Sequence, residues 1–172
     1  MATEKFGLKD WAALAFGAVV FFAGSPVVML VLDSFYHETF LPDNALSTAL
    51  GALSSAVGIF FCLWANVELV KRGHGGAAVL GPVKLCRETS QLVVSGPYAL
   101  CRNPMHLGIM LYQLGLCCAI NSLIALLVPG GMLVFAYLLA RFVDEPRLRR
   151  DFAAEYEKWA EQVPRFLPRV KY

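Results

Sequence analysis

Charge is what this chain has least of. Only 16% of its 172 residues are Asp, Glu, Lys or Arg, against about 25% in an average soluble domain. The net charge of +2 is small, and no basic run is interleaved with aromatics. Nucleic acid is therefore not an expected partner. The five cysteines (Cys62, Cys86, Cys101, Cys117 and Cys118) are odd in number and hold no C-x-x-C spacing. That pattern excludes a disulfide framework and a zinc site, and leaves packed, reduced thiols. No small-residue cleavage site follows the first apolar run, and Glu4 and Asp10 precede it. It reads as a retained helix rather than a leader that is removed. There is no internal repeat and no low-complexity segment.

Apolar residues fill the space that charge leaves. They make up 58% of the chain, against roughly 45–50% in soluble domains, which points to lipid as the solvent. Three stretches, 11–32, 44–67 and 103–140, contain no Asp, Glu, Lys or Arg. A spanning helix needs about 20 such residues, so the first two make one crossing each. The third, 38 residues long, would form a helix of roughly 57 Å. A hydrocarbon core is about 30 Å thick, so the stretch must double back, and Asn121-Ser122 is its only central polar pair. The expected fold is an all-α integral membrane domain over 1–172 with four transmembrane helices, near 8–32, 46–70, 104–120 and 123–142. The last two form a tight C-terminal helical hairpin. Pro26 and Pro129-Gly130-Gly131 fall inside these spans, where neighbouring helices can satisfy freed carbonyls.

Sidedness follows from the charges. Four crossings place Lys5 and Lys9, the loop 71–103, and everything after residue 140 on one face, and that face then carries all fifteen Lys and Arg residues. The opposite face keeps Asp33, Glu38 and Asp43 with no basic residue. The positive-inside rule puts both termini and the loop in the cytoplasm. In the tail, Leu148, Phe152, Tyr156, Trp159 and Val163 recur at intervals of three and four, bounded by Pro146 and Pro164. This pattern predicts an amphipathic helix over 146–163 that lies on the bilayer or caps the bundle.

Two clusters can carry chemistry. The first is the segment 90–108, SQLVVSGPYALCRNPMHLG, which contains a Gly96-Pro97 turn. Pro104 suits the first helical position, and Asn103 is placed to cap it. A helix N-terminus attracts carboxylates and phosphates. A plain cap with a snorkelling Arg102 is the simpler reading of the same residues. The second cluster is Arg141, Asp144 and Glu145, in which Arg141 and Glu145 stand four apart on one helical face, where they can pair. The hairpin brings the two clusters together. A solvated helix end is the plain alternative for the second.

These residues have a pattern. GPYALCRNPMHLG, followed by DEPRLRRDFAAEYEKWAEQVPRFLP, resembles the isoprenylcysteine carboxyl methyltransferase and phospholipid methyltransferase family over about 68–168. That family shows G-P/V-Y, R-H/N-P-x-Y-x-G, a paired E-E, and F-G-x-x-Y-x-x-Y ending in V-P. The resemblance implies S-adenosylmethionine as methyl donor and a lipophilic acceptor taken from the bilayer. It implies that Ser90, Gln91, Leu92, Val93 and Tyr98 line the cofactor pocket together with Asn103, Pro104, Met105 and His106. One of Asp144 and Glu145 would hold a polar group of the cofactor. It implies that Arg141 faces an anionic acceptor group, such as an isoprenylcysteine carboxylate; Arg102, brought to the same hairpin mouth, is the other candidate for that role. This chain departs from the pattern at Asn103, at His106 (usually Tyr), at Asp144 (usually Glu), at Ala153 (usually Gly) and at Gln162 (often basic). Residues 73–82, GHGGAAVLGP, resemble a softened G-x-G-T-P-x-P loop.

Two other functions fit parts of the sequence. An NADPH-dependent membrane reductase related to sterol reductases would share the C-terminal half, but such enzymes are usually longer. A non-catalytic haem or quinone binder would use His37, His74 and His106, although His37 falls on the opposite face from the other two.

Overall fold

The computed structural model describes residues 7–42, 45–76, 79–80, 83–84 and 86–167. Lys5, Asp43, Arg169 and Lys171 of the charge map, and residues 77–78 and 81–82 of the Gly-rich loop, lie outside the described residues. Four helices account for most of the chain: α1 (Leu8–Phe35), α2 (Ala45–Gly73), α3 (Pro104–Ile120) and α4 (Ile124–Gln162). Three of them, α1, α2 and α4, are long and apolar enough to cross a membrane, and α3 is a shorter apolar helix. Between α2 and α3, two-residue strands β1 (Val79–Leu80) and β2 (Val83–Lys84) pair antiparallel. A 3-10 turn follows at Gly96–Ala99. Phe16, Leu53, Leu63 and Val134 are each more than half exposed on the outside of the bundle. Side chains of this kind on every outer face suit lipid rather than water.

The tightest packing is between α2 and α3, and small residues make it. Gly51 and Gly58 of α2 meet Gly108 and Gly115 of α3 with backbone against backbone. The Oγ of Ser54 donates to the Leu111 carbonyl at 2.8 Å, and that of Ser55 to the Tyr112 carbonyl at 3.3 Å. Close backbone approach of this kind, with hydroxyls bonded across the seam, is how helices associate in lipid.

Prolines are also accommodated through neighbours. Pro26 has no N–H for the carbonyl of Phe22, four residues earlier. The Tyr112 hydroxyl of α3 donates to that carbonyl at 2.8 Å instead. Just before it, α1 widens into a π turn at Val19–Gly24.

The two ends of the bundle are closed by different bonds. At one end Asn121 takes a left-handed conformation (φ 54°). Its Oδ1 accepts from the N–H groups of Phe40 (3.2 Å) and Leu41 (2.9 Å), and its Nδ2 donates to the Leu41 carbonyl. At the other end Asp10 accepts from the N–H of Arg87 at 2.8 Å, joining the start of α1 to the loop before α3. The N–H of Arg102 donates to the Pro164 carbonyl at 2.8 Å, joining that loop to the tail.

The tail differs from the sequence expectation. No break separates 142 from 146: α4 continues through a π turn at Ala140–Asp144 and on into Glu145–Gln162. The chain bends instead at Ala153, where φ is 41° and ψ is −118°. That conformation suits glycine and strains a residue with a Cβ. It gives a physical meaning to the Gly that the family pattern carries after Phe152. Ala153→Gly is expected to stabilise the protein by about 1 kcal/mol, the relief of strain exceeding the entropy cost of glycine. A higher thermal midpoint in detergent would be the sign.

Candidate functional site

A pocket of about 90 Å³ lies at the end of the bundle where Asp10, Arg87 and Pro164 meet their partners. Four parts of the chain build it. Leu69 comes from the last turn of α2, and Thr89, Leu92, Val93 and Tyr98 come from the loop. Arg102, Asn103, Pro104, Met105 and His106 form the entrance of α3, and Asp144, Arg147, Leu148 and Trp159 come from α4. Trp159 is held in place by its Nε1–H, which donates to the Tyr98 carbonyl at 3.2 Å. Gly96 starts the 3-10 turn that carries Tyr98, with φ at 60° and its Cα against Glu68.

Nine of the residues singled out from the sequence line this pocket: Leu92, Val93, Tyr98, Arg102, Asn103, Pro104, Met105, His106 and Asp144. Four do not. Ser90 and Gln91 are exposed, and the Ser90 hydroxyl lies 3.4 Å from the Gly73 carbonyl. Arg141 is exposed away from the pocket. Glu145 is buried behind its wall at 4% exposure.

Two local expectations need correcting. Asn103 stands at the N-cap of α3, but its side chain makes no cap bond; Nδ2 donates to the Arg165 carbonyl at 3.1 Å. Glu145 does not pair with Arg141. Residues 140–144 form a π turn, in which i and i+4 no longer stand one above the other. Glu145 instead receives Arg165 through both oxygens, at 2.7 and 3.1 Å. Arg102 Nη1 lies 3.2 Å from the same carboxylate and donates to the Tyr156 hydroxyl at 2.9 Å.

The adjacent acids are therefore shifted in opposite directions. Burial would raise the Glu145 carboxyl, but the Arg165 bonds and the charges of Arg102 and Arg165 outweigh it and hold Glu145 below the usual carboxylate range. Burial pushes Asp144 up to about 6, with Arg147 opposing the shift and Glu145 adding to it. Arg147 is 3.8 Å away, too far for a hydrogen bond. Among the described residues no short bond reaches the Asp144 carboxylate, which lines the pocket, while Glu145 is fully engaged. The Arg102 guanidinium also has spare capacity, since its Nε is buried without a partner. Cys101 is buried beside the site with its thiol pushed up to about 11 by desolvation, which makes it inert rather than nucleophilic.

Sequence reasoning missed Leu69, Thr89, Arg147, Leu148 and Trp159. A signal for two of them was available. Arg147 and Leu148 stand three and four residues after Asp144 and share its helical face.

Fold and site define an integral membrane protein of the helical type, with a pocket at one end of its bundle. A profile of the phospholipid methyltransferase family matches residues 46–155, more than half of the chain, and the chain belongs to that family. Two relatives are similar to it. The cobalt-zinc-cadmium resistance protein CzcN of Cupriavidus metallidurans is 34% identical over 85 residues, covering 49% of this chain and 38% of that protein. The nickel-cobalt-cadmium resistance protein NccN of Alcaligenes xylosoxydans xylosoxydans is 26% identical over 148 residues, covering 81% of this chain and 69% of that protein. This chain therefore spans well under half the length of the first. Among the described residues, no group of three His, Cys, Asp or Glu side chains is placed to hold a metal ion.

Proposed function

We propose that this chain transfers a methyl group from S-adenosylmethionine to a lipophilic acceptor at the cytoplasmic face of a membrane. The observation that carries this reading is the pairing of an unsatisfied acid and an arginine with spare donors in one pocket. S-adenosylmethionine is a zwitterion with an added sulfonium charge, and the pocket residues fit its groups. Asp144 would hold the ammonium, and Arg102, which lines the same pocket, would hold the carboxylate. Leu92, Val93, Met105 and Trp159 supply apolar walls for the rest.

When bound, the donor supplies an electrophilic methyl group on sulfur, so little acid–base machinery is required. The task of the residues is alignment and exclusion of water, and proximity supplies much of the rate. Tyr98, Leu148 and Trp159 close the pocket on the side of the tail. A lipophilic acceptor, of which an isoprenylcysteine-type carboxylate is one class, would enter from the bilayer between helices.

Topology supports the same reading. We take α3 as a fourth crossing, paired with α4 as a hairpin. The bonds from Asp10 to Arg87 and from Arg102 to Pro164 draw the start of α1, the loop and the tail to one end. Among the described residues that end carries Arg87, Arg102, Arg147 and Arg165, and the positive-inside rule supports a cytoplasmic placement for it.

Calorimetric titration of the detergent-purified chain tests the reading, with S-adenosylmethionine as ligand and NADPH as control. Saturable binding of the first alone is expected. Binding of NADPH alone would replace the reading with a reductase.

A further inference from the structure

The segment that follows α4 lies across the mouth of α3 like a strap. The Arg102 N–H donates to the Pro164 carbonyl at 2.8 Å, and the Asn103 N–H donates to the Arg165 carbonyl at 3.1 Å. The Asn103 side chain adds a second bond to that carbonyl. The strap delivers one charged side chain, Arg165, to the back of the pocket. Its guanidinium lies over the Tyr137 ring at 5.1 Å from the centroid and grips Glu145 with two bonds. Arg165 itself does not line the pocket.

A buried carboxylate must be paired, and a forked arginine is its best partner. Were Arg102 the only cation present, Glu145 would claim both arms of its fork and turn it from the pocket. With Arg165 occupying both carboxylate oxygens, Arg102 gives Glu145 and Tyr156 only Nη1. Its remaining donors stay unspent. Two arginines on one carboxylate also leave one positive charge in excess, carried by the arginine that lines the pocket.

We propose that Arg165 is a positioning residue for ligand binding: by saturating Glu145 it frees Arg102 to hold an anionic group in the pocket. This rests on the methyl-donor reading above, with the donor's carboxylate as the anionic group. Arg165 acts only through Glu145 and Arg102, so its effect must vanish when Arg102 is absent. A residue that merely steadied the fold would weaken binding whatever occupied position 102.

The test is titration of S-adenosylhomocysteine into the full-length wild type, Arg165→Gln, Arg165→Lys, Arg102→Gln and the Arg102→Gln/Arg165→Gln double variant. Arg165→Gln is expected to weaken binding roughly tenfold, the loss of one charge-assisted bond at the site. Arg165→Lys, with the charge but not the fork, should recover part of the loss. The double variant should bind no more weakly than Arg102→Gln alone, because coupled residues do not add. Losses that simply multiply, or wild-type affinity in Arg165→Gln, would overturn the proposal. If Arg165→Gln yields no folded protein, the comparison is made with Arg165→Lys in both backgrounds. No binding by the wild type would sink the methyl-donor reading itself, and that result is distinct from either of the others.

Discussion

Asp144→Asn is expected to weaken S-adenosylmethionine binding about 10- to 100-fold at pH 7.5, the usual worth of a hydrogen bond to a charged group in a buried site. The dependence on pH should change with it. In the wild type, burial raises the carboxyl to about 6. A cationic ligand group needs the ionised form, so affinity should fall as pH drops through that value, by up to tenfold per unit. In Asp144→Asn the slope between pH 5 and 7 should disappear. Stability of the empty protein runs the other way. A carboxyl raised from 3.8 to about 6 binds its proton more tightly folded than unfolded. Its contribution is favourable at low pH and is lost as pH rises between those two values. Glu145→Gln should behave differently, because Glu145 is held ionised by Arg165 and Arg102. Its loss leaves two partly buried cations without their anion, so it should lower thermal stability as well as affinity. If Asp144→Asn bound the donor as tightly as wild type, the acid facing the pocket would have no part in holding it.

The seam between α2 and α3 should be the least forgiving part of the fold. A Cβ added at Gly108 would stand 2.7 Å from both the Cys62 sulfur and the Gly58 carbonyl oxygen. One added at Gly58 would strike the backbone of Tyr112 and Gly108. Backbone atoms cannot swing aside, so the helices must separate. Gly108→Ala is expected to cost about 1–3 kcal/mol, and Gly58→Leu to leave no monodisperse protein after detergent extraction. Gly130→Ala in α4 is the control, since an added Cβ there meets nothing within 4 Å. Size-exclusion profiles and thermal midpoints would separate the three. An unchanged midpoint in Gly108→Ala would mean that the seam is looser than its geometry indicates.

Much of this protein can be read without coordinates, and the physics behind each part explains why. Long runs without charge mark helices that lipid will accept, because an unpaired ionic group in hydrocarbon is too costly to be placed at random. Pro104 marks the start of α3 for an equally local reason, the fixed φ and missing N–H that suit a first turn. The apolar face of the tail follows from spacing alone, and it put Tyr156, Trp159 and Val163 on the buried side, where they lie.

The division of labour between Asp144 and Glu145 depends on helical phase. The π turn at Ala140–Asp144 adds one residue to the turn and rotates everything after it. That rotation leaves Arg141 outside, aims Asp144 into the pocket and buries Glu145. Arg165 is twenty residues from Glu145 in sequence, and only the bend at Ala153 and the return of the strap over α3 bring them together. The amino-acid sequence by itself determined which segments leave water, which faces of the helices pack and where the basic residues gather, since these depend on composition and short-range periodicity. Tertiary structure alone decided which acid faces the pocket and which arginine satisfies the other, since these depend on the rotation of one helix and the return of a distant segment.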